Sequence, residues 1–208
     1  MEMSSVYDKM DDRHLDFLRE IGNVGAGNAA TALSVMIDRK VEIDVPDVKI
    51  VPISRVPFIL PNPEELVVGI KMSVKGDAEL ETLLIFDATG AKQLLKILLF
   101  GMEIEDLTQI DEMSVSALKE VGNIICGSYI TALANFTGLY LDPLPPEVSV
   151  DMISAIISEV SLEVAYTEDK IIFIETLLDI QDVKVTGYIF MIPKGEGLEK
   201  IFKSMGLM

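Results

Sequence analysis

Residues 16–33 read DFLREIGNVGAGNAATAL, and residues 116–133 read SALKEVGNIICGSYITAL. At a constant offset of 100, Leu18, Glu20, Gly22, Asn23, Gly27, Thr31, Ala32 and Leu33 recur as Leu118, Glu120, Gly122, Asn123, Gly127, Thr131, Ala132 and Leu133. Pro46 and Pro146 keep that offset, and a weaker echo links 85–101 to 190–206 at an offset of 105. Self-similarity at a fixed period marks a duplicated unit. The chain therefore reads as a single domain, 1–208, made of two internal repeats of about 8–105 and 106–208.

Working outward from the quoted stretches, apolar and small residues keep helical spacing over 8–36, at Leu18, Ile21, Gly22, Gly25, Ala29, Ala32, Leu33 and Met36. The segment 108–136 repeats the pattern, with Thr108 and Asp111 as a near-capping box at its start. Alternating or β-branched runs follow at 41–53, 67–74 and 79–86, and after the second helix at 147–150, 161–165, 170–180 and 184–192. A short helix is expected to open at Asp151. The fold class is α+β, a pseudo-twofold duplicated unit. An antiparallel sheet of about six strands would carry the two long helices side by side on one face, with shorter helices besides.

Composition narrows the functional classes. Half of the 208 residues are hydrophobic, and 34 acids against 17 bases leave a formal charge of −17. Such a surface repels phosphate backbones and anionic lipid, which argues against nucleic acid as a partner and against membrane insertion. The longest apolar stretches, such as 94–100, fall short of the roughly 18 residues of a membrane span. No signal peptide is read at the start, and the single cysteine fits a reducing cytoplasm.

Positions i, i+3, i+7 and i+11 lie along one helix face. Here they are Glu20, Asn23, Gly27 and Thr31, and again Glu120, Asn123, Gly127 and Thr131. Asparagine has no useful pKa and cannot act as a base, but its amide can hold one water for in-line attack. A glutamate one turn earlier can pair with a lysine on a docked partner, and a glycine lets a partner's backbone come close. Glycine inside a helix costs roughly 1 kcal/mol against alanine, so two at matching places call for a reason. Helix–helix packing through the glycines, with the polar groups merely solvated, is the competing account.

The pattern D-x3-E-x2-N-x22-P reads as Asp16, Glu20, Asn23 and Pro46, and its copy S-x3-E-x2-N-x22-P as Ser116, Glu120, Asn123 and Pro146. This resembles the CheC/CheX/FliY family of bacterial and archaeal chemotaxis phosphatases, which remove phosphate from the response regulator CheY. Two intact motifs fit the two-site members better than CheX, where one motif is expected on a central helix. FliY would add a flagellar-switch domain for which these 208 residues leave no length. The resemblance implies that Glu20 and Glu120 bridge the receiver's active-site lysine and that Asn23 and Asn123 orient the hydrolytic water. It implies no cofactor of the chain's own, the receiver supplying Mg²⁺. Asp16 and Ser116 need do no chemistry, and Pro46 and Pro146 would fix the chain after each helix. The family also suggests the receptor deamidase CheD as a second partner that raises the activity. Its candidate contact is the 151–161 helix, through Asp151 and the small-residue face Ser154, Ala155 and Ser158, although Asp151 reads equally as an ordinary N-cap. The rival to a phosphatase is a non-catalytic adaptor that binds phosphorylated CheY or CheD. Two working sites are expected, the second at least as active as the first.

Other motifs carry less. Residues 25–30 satisfy G-x-G-x-x-A, but inside a helical pattern and without the preceding strand that a dinucleotide site needs. His14 is the only histidine, has no duplicate, and is expected to be exposed. Cys126 aligns with Ala26 and reads as a packing residue. Asp8, Asp11 and Asp12 lack cation-loop spacing and suit the positive end of the first helix.

Overall fold

From α1 (Asp12–Ile37) the chain runs through β1 (Val41–Pro52), β2 (Leu66–Gly76), β3 (Leu80–Asp87) and α2 (Ala88–Leu98). The second half follows as α3 (Glu112–Thr137), β4 (Leu141–Pro143), β5 (Glu147–Met152), α4 (Ile153–Val164), β6 (Lys170–Ile180), β7 (Val183–Pro193) and α5 (Gly197–Ser204). The computed structural model describes residues 10–52, 55–56, 62, 64–164, 170–181 and 183–208, and of 160–164 the backbone alone. Asp8 and Ala165 lie outside the described residues.

Two aspartates, 100 residues apart, start the long helices. The Asp11 carboxylate accepts from the Arg13 N–H, and that of Asp111 accepts from the Ser114 N–H at 2.8 Å, each taking up a free donor of the first turn. The helices also stop alike, at Asp38 (φ 50°) and Gly138 (φ 69°), whose N–H groups donate to the carbonyls of Ser34 and Ala134. Thr108 therefore does not open the second helix. It lies in a 3-10 turn, Leu107–Gln109, where the Asp106 carboxylate accepts from its backbone N–H.

The sheet is antiparallel throughout, in the order β1-β6-β7-β3-β2, with β4 and β5 sharing the outer edge of β2. Exchanging β1, β2 and β3 for β4/β5, β6 and β7 returns the same order backwards, so the pseudo-twofold relation passes through the β3–β7 pair. Each half lends its first strand to the other, β1 to β6 and β5 to β2. Among the described residues there are seven strands, where about six are expected, because the strand after α3 breaks at Leu144–Pro145–Pro146.

That break holds the second motif proline, Pro146, between β4 and β5, while Pro46 lies within the opposite edge strand, β1. Between Asp44 and Asp47 the β1 ladder shifts by one residue at Val45–Pro46, and the β4/β5 edge gains one residue over β2 between Pro143 and Glu147. Proline lacks the donor a ladder needs, so it belongs at an edge or a bulge, where it also blunts pairing with other chains. Pro46 is exposed and Pro146 buried.

Alternation along the strands divides the interior. Val68, Ile70, Met72 and Val74 of β2 join Ile172, Ile174 and Leu178 of β6 in the core beneath α1 and α3. Val67, Leu83, Ile85, Ile171 and Phe173 point the other way, against Ile153, Ile156 and Ile157 of α4. The i, i+3, i+4 spacing of these three isoleucines explains why 161–164 continues a helix instead of forming a strand. It also corrects the start of that helix. Asp151 and Met152 end β5, paired with Val67 and Leu66, and α4 begins at Ile153.

The last helices show their register through burial. Gly90, Ala91, Leu94 and Leu95 are the buried face of α2, and Gly197, Leu198, Ile201 and Phe202 that of α5. The offset is 107 there, not the 105 that letter matching suggests. Packing tracks which face is apolar, and letter identity in a short segment does not.

Candidate active site

The long helices cross closely at Gly25. A Cβ there would sit 2.9 Å from the Cα and Cγ of Tyr129 on α3, so only glycine admits this approach. The pseudo-symmetric positions are Ile125 and Ala29, both fully buried. Each helix also faces the sheet through a glycine: a Cβ at Gly22 would meet Val45 at 3.4 Å, and one at Gly122 would overlap the Ile70 side chain.

With those faces committed, the stripe is left outside. Glu20, Asn23, Gly27, Thr31, Glu120, Asn123 and Thr131 are exposed and Gly127 is half-buried. Among the described residues no hydrogen bond or ion pair engages the side chains of Glu20, Asn23, Glu120 or Asn123. Thr31 is the member turned inward chemically, its hydroxyl donating to the Gly27 carbonyl at 2.9 Å.

The glycines separate the two accounts of the stripe. A Cβ at Gly27 or Gly127 would meet nothing within 4 Å, whereas packing does hold Gly25 and Gly122. Helix packing therefore gives no reason for Gly27 or Gly127, each of which costs about 1 kcal/mol against alanine. An exposed acid and amide without internal partners, above a bare stretch of helix backbone, form a surface to which a partner can come within van der Waals distance.

The two copies differ around this common core. Asp16 is paired with Arg19 at 3.0 Å on the exposed face, while the exposed Ser116 has no carboxylate to offer. His14 is buried, against expectation. Its Nε2 lies 3.1 Å from the Leu207 carbonyl oxygen, its Nδ1 2.7 Å from the Asp11 carboxylate, and its ring meets Phe202 edge-on at 4.6 Å. The contact is with a segment nearly two hundred residues away, which no local pattern announces. Hydrogen bonds from Arg13 first, then His14, hold the Asp11 carboxyl well below the usual carboxylate range. Burial pushes the Cys126 thiol up to about 11, which suits packing and not attack. Of the candidate CheD contacts, Asp151, Ala155 and Ser158 are exposed, Ser154 is half-buried, and the Ser158 hydroxyl donates to the Ser154 carbonyl at 2.6 Å.

Comparison with known proteins matches this arrangement. The fold is shared with FliY of Thermotoga maritima, whose crystal structure superposes with a TM-score of 0.76 at 21% identity, over 96% of this chain and 99% of that one. The model of the CheC-like family matches residues 14–50 and 113–150, the two long helices and the strand edges that follow them. CheY-P phosphatase CheC of Bacillus subtilis is 34% identical over 206 residues, covering 97% of this chain and 98% of its own. The flagellar motor switch phosphatase FliY of the same bacterium is 27% identical over 143 residues, 69% of this chain and 37% of that one. The chain belongs to the CheC-like family.

Proposed function

We propose that the protein is a phosphatase that accelerates hydrolysis of the aspartyl phosphate on phosphorylated CheY, with one site on α1 and one on α3. The observation that carries this reading is the exposed, unpartnered Glu/Asn pair repeated on both helices, in a chain 34% identical over nearly its whole length to a CheY-P phosphatase. Glu20 or Glu120 anchors the receiver's lysine. Asn23 or Asn123, one turn on, donates to and accepts from a single water and aims it at the phosphorus. Neither residue transfers a proton; the gain comes from position, which for a well-placed group is worth of the order of 100-fold. The receiver brings the phosphoryl group and its Mg²⁺. A non-catalytic adaptor would use the same surface for binding alone.

Single substitutions test the two-site arrangement. Asn23→Ala and Asn123→Ala should each leave the activity of the untouched site, with at least half of the total remaining in Asn23→Ala. Decay of the labelled aspartyl phosphate on CheY, followed with catalytic amounts of each variant, reads this directly. A single variant as inactive as the double would show that only one helix works.

The glycines give a prediction of opposite signs. Gly27→Ala and Gly127→Ala meet no neighbour, so each should raise stability by about 1 kcal/mol through helix propensity. Each methyl should also hold the receiver away and lower phosphatase activity at its own helix. Thermal unfolding and phosphate decay on the same samples check both halves. Unchanged activity would mean that no partner approaches there.

Among the described residues no helix is long and apolar enough to cross a membrane, and the reading takes the protein to act in the cytoplasm, where phosphorylated CheY is found. CheD docking is assigned to the exposed face of α4, through Ala155 and Ser158, with Asp151 beside it. That face lies across the sheet from α1 and α3, since α4 packs on the opposite core. CheD and CheY would then bind together, and CheD's effect on activity would pass through the sheet.

A further inference from the structure

We propose that a groove beside the α3 stripe docks the body of the phosphorylated receiver and that Phe100 is its anchor; this rests on the phosphatase reading above. Phe100 is 99% exposed, an unusual place for a large aromatic ring. It also occupies a left-handed backbone position, φ 54°, where the chain leaves α2. The equivalent exit from α5 is made by Gly206, φ 66°, the residue such a position favours. In both exits the next N–H reaches back to a helix carbonyl, Gly101 to Lys96 and Leu207 to Phe202. Phenylalanine therefore stands against both its solvation and its backbone preference, which points to a use outside the free chain.

The groove it borders is about 810 Å³, walled by Met36 and Arg39 at the end of α1, Ile97 beside Phe100, and Met113 and Glu120 on α3. It is thus continuous with the second stripe, because Glu120 belongs to both. Met36 and Met113 are themselves exposed, and methionine-lined surfaces adapt to an incoming apolar element. Arg39 makes no ion pair among the described residues, and with Asp38 and Glu120 it makes up the charged part of the lining. An apolar lining with Arg39 on one side and Glu120 on the other suits a partner that brings an anionic phosphoryl group and a lysine together with apolar surface beside them.

In the matching place beside the first stripe, aromatic side chains fill the space. There His14, Phe17, Phe136 and Phe202 pack together, with Phe17 6.2 Å from both Phe136 and Phe202, and Leu207 lies on the cluster. Their counterparts by position are Ser114, Ala117, Met36 and Leu95, all smaller or more flexible, and Arg39 is replaced by the half-buried Leu139. The groove therefore makes the two sites unequal, with receiver binding tighter at α3.

Phe100→Gly tests this without harming the fold, since glycine suits φ 54° and removes nothing buried. In the Asn23→Ala background, where only α3 acts, it should raise KM for phosphorylated CheY about tenfold, kcat being set by Glu120 and Asn123. In the Asn123→Ala background, where only α1 acts, KM should not move. Because the asparagine substitutions leave binding intact, one of the two binding sites for CheY loaded with beryllofluoride, a non-hydrolysable phosphoryl mimic, should weaken about tenfold in either background. An unmoved KM in the Asn23→Ala background would overturn the docking assignment, as would equal shifts of KM in both backgrounds. Failure of the phosphatase reading looks different: phosphate would leave CheY at the receiver's own rate in both backgrounds, with Phe100 or with glycine at position 100.

Discussion

The Asn23→Ala/Asn123→Ala double variant is expected to lose phosphatase activity by about 100-fold or more, about 2.7 kcal/mol of transition-state stabilisation at 100-fold. Its stability should change by no more than about 0.5 kcal/mol, because both side chains are exposed and, among the described residues, hold no partner that would be orphaned. Binding of phosphorylated CheY should survive, because Glu20, Glu120 and the glycine surface are intact. Affinity and phosphate decay measured on one preparation distinguish the possibilities. Loss of turnover with retained binding supports water placement by the asparagines. Parallel loss of both favours the adaptor, and full activity removes the site from these helices.

The second large effect concerns the helix pair that presents the site. Tyr129 is fully buried, touches α1 at Gly25 and places its hydroxyl 3.4 Å from that of Thr176 on β6, so one ring joins both long helices to the sheet. Tyr129→Ala should cost about 3–5 kcal/mol from lost burial and the cavity left behind. Against the roughly 5–15 kcal/mol of a typical domain this is a large share. For a chain of this size it should lower Tm by about 6–20 °C in thermal unfolding. Tyr129→Phe should cost far less, because the hydroxyl's one contact is long. Burial also pushes the phenol's pKa up to about 12. The neutral form is favoured in the folded state, so its contribution is complete below pH 10 and is lost as pH rises from about 10 towards 12. A Tyr129→Ala protein as stable as wild type would mean the helices are held in some other way.

Much of this was written in the repeat. The offset of 100 carries both helix starts, both stops and both edge prolines, and the i, i+3, i+7, i+11 spacing foretells an exposed stripe because the opposite positions are apolar or glycine. Where reading along the chain went astray, two residues could serve one purpose or the deciding contact was distant. Thr108 and Asp111 are both cap formers, and only the geometry at Ser114 selects Asp111. Asp151 looks like an N-cap, yet its backbone is claimed by the ladder to Val67. His14 is buried by Phe202 and Leu207, which no local pattern reveals. The difference between the two sites was least legible, since the groove beside α3 combines the ends of three helices. What duplication preserved is the stripe, and what diverged is the filling beside it.

Catalysis itself is read by adding this protein, at one-hundredth of the receiver's concentration, to CheY carrying labelled aspartyl phosphate and following the phosphate left on it. Decay should run well above the receiver's own rate, with many phosphates released per molecule of this protein. Decay at the unassisted rate, under conditions where the two proteins are seen to bind, would contradict the phosphatase reading.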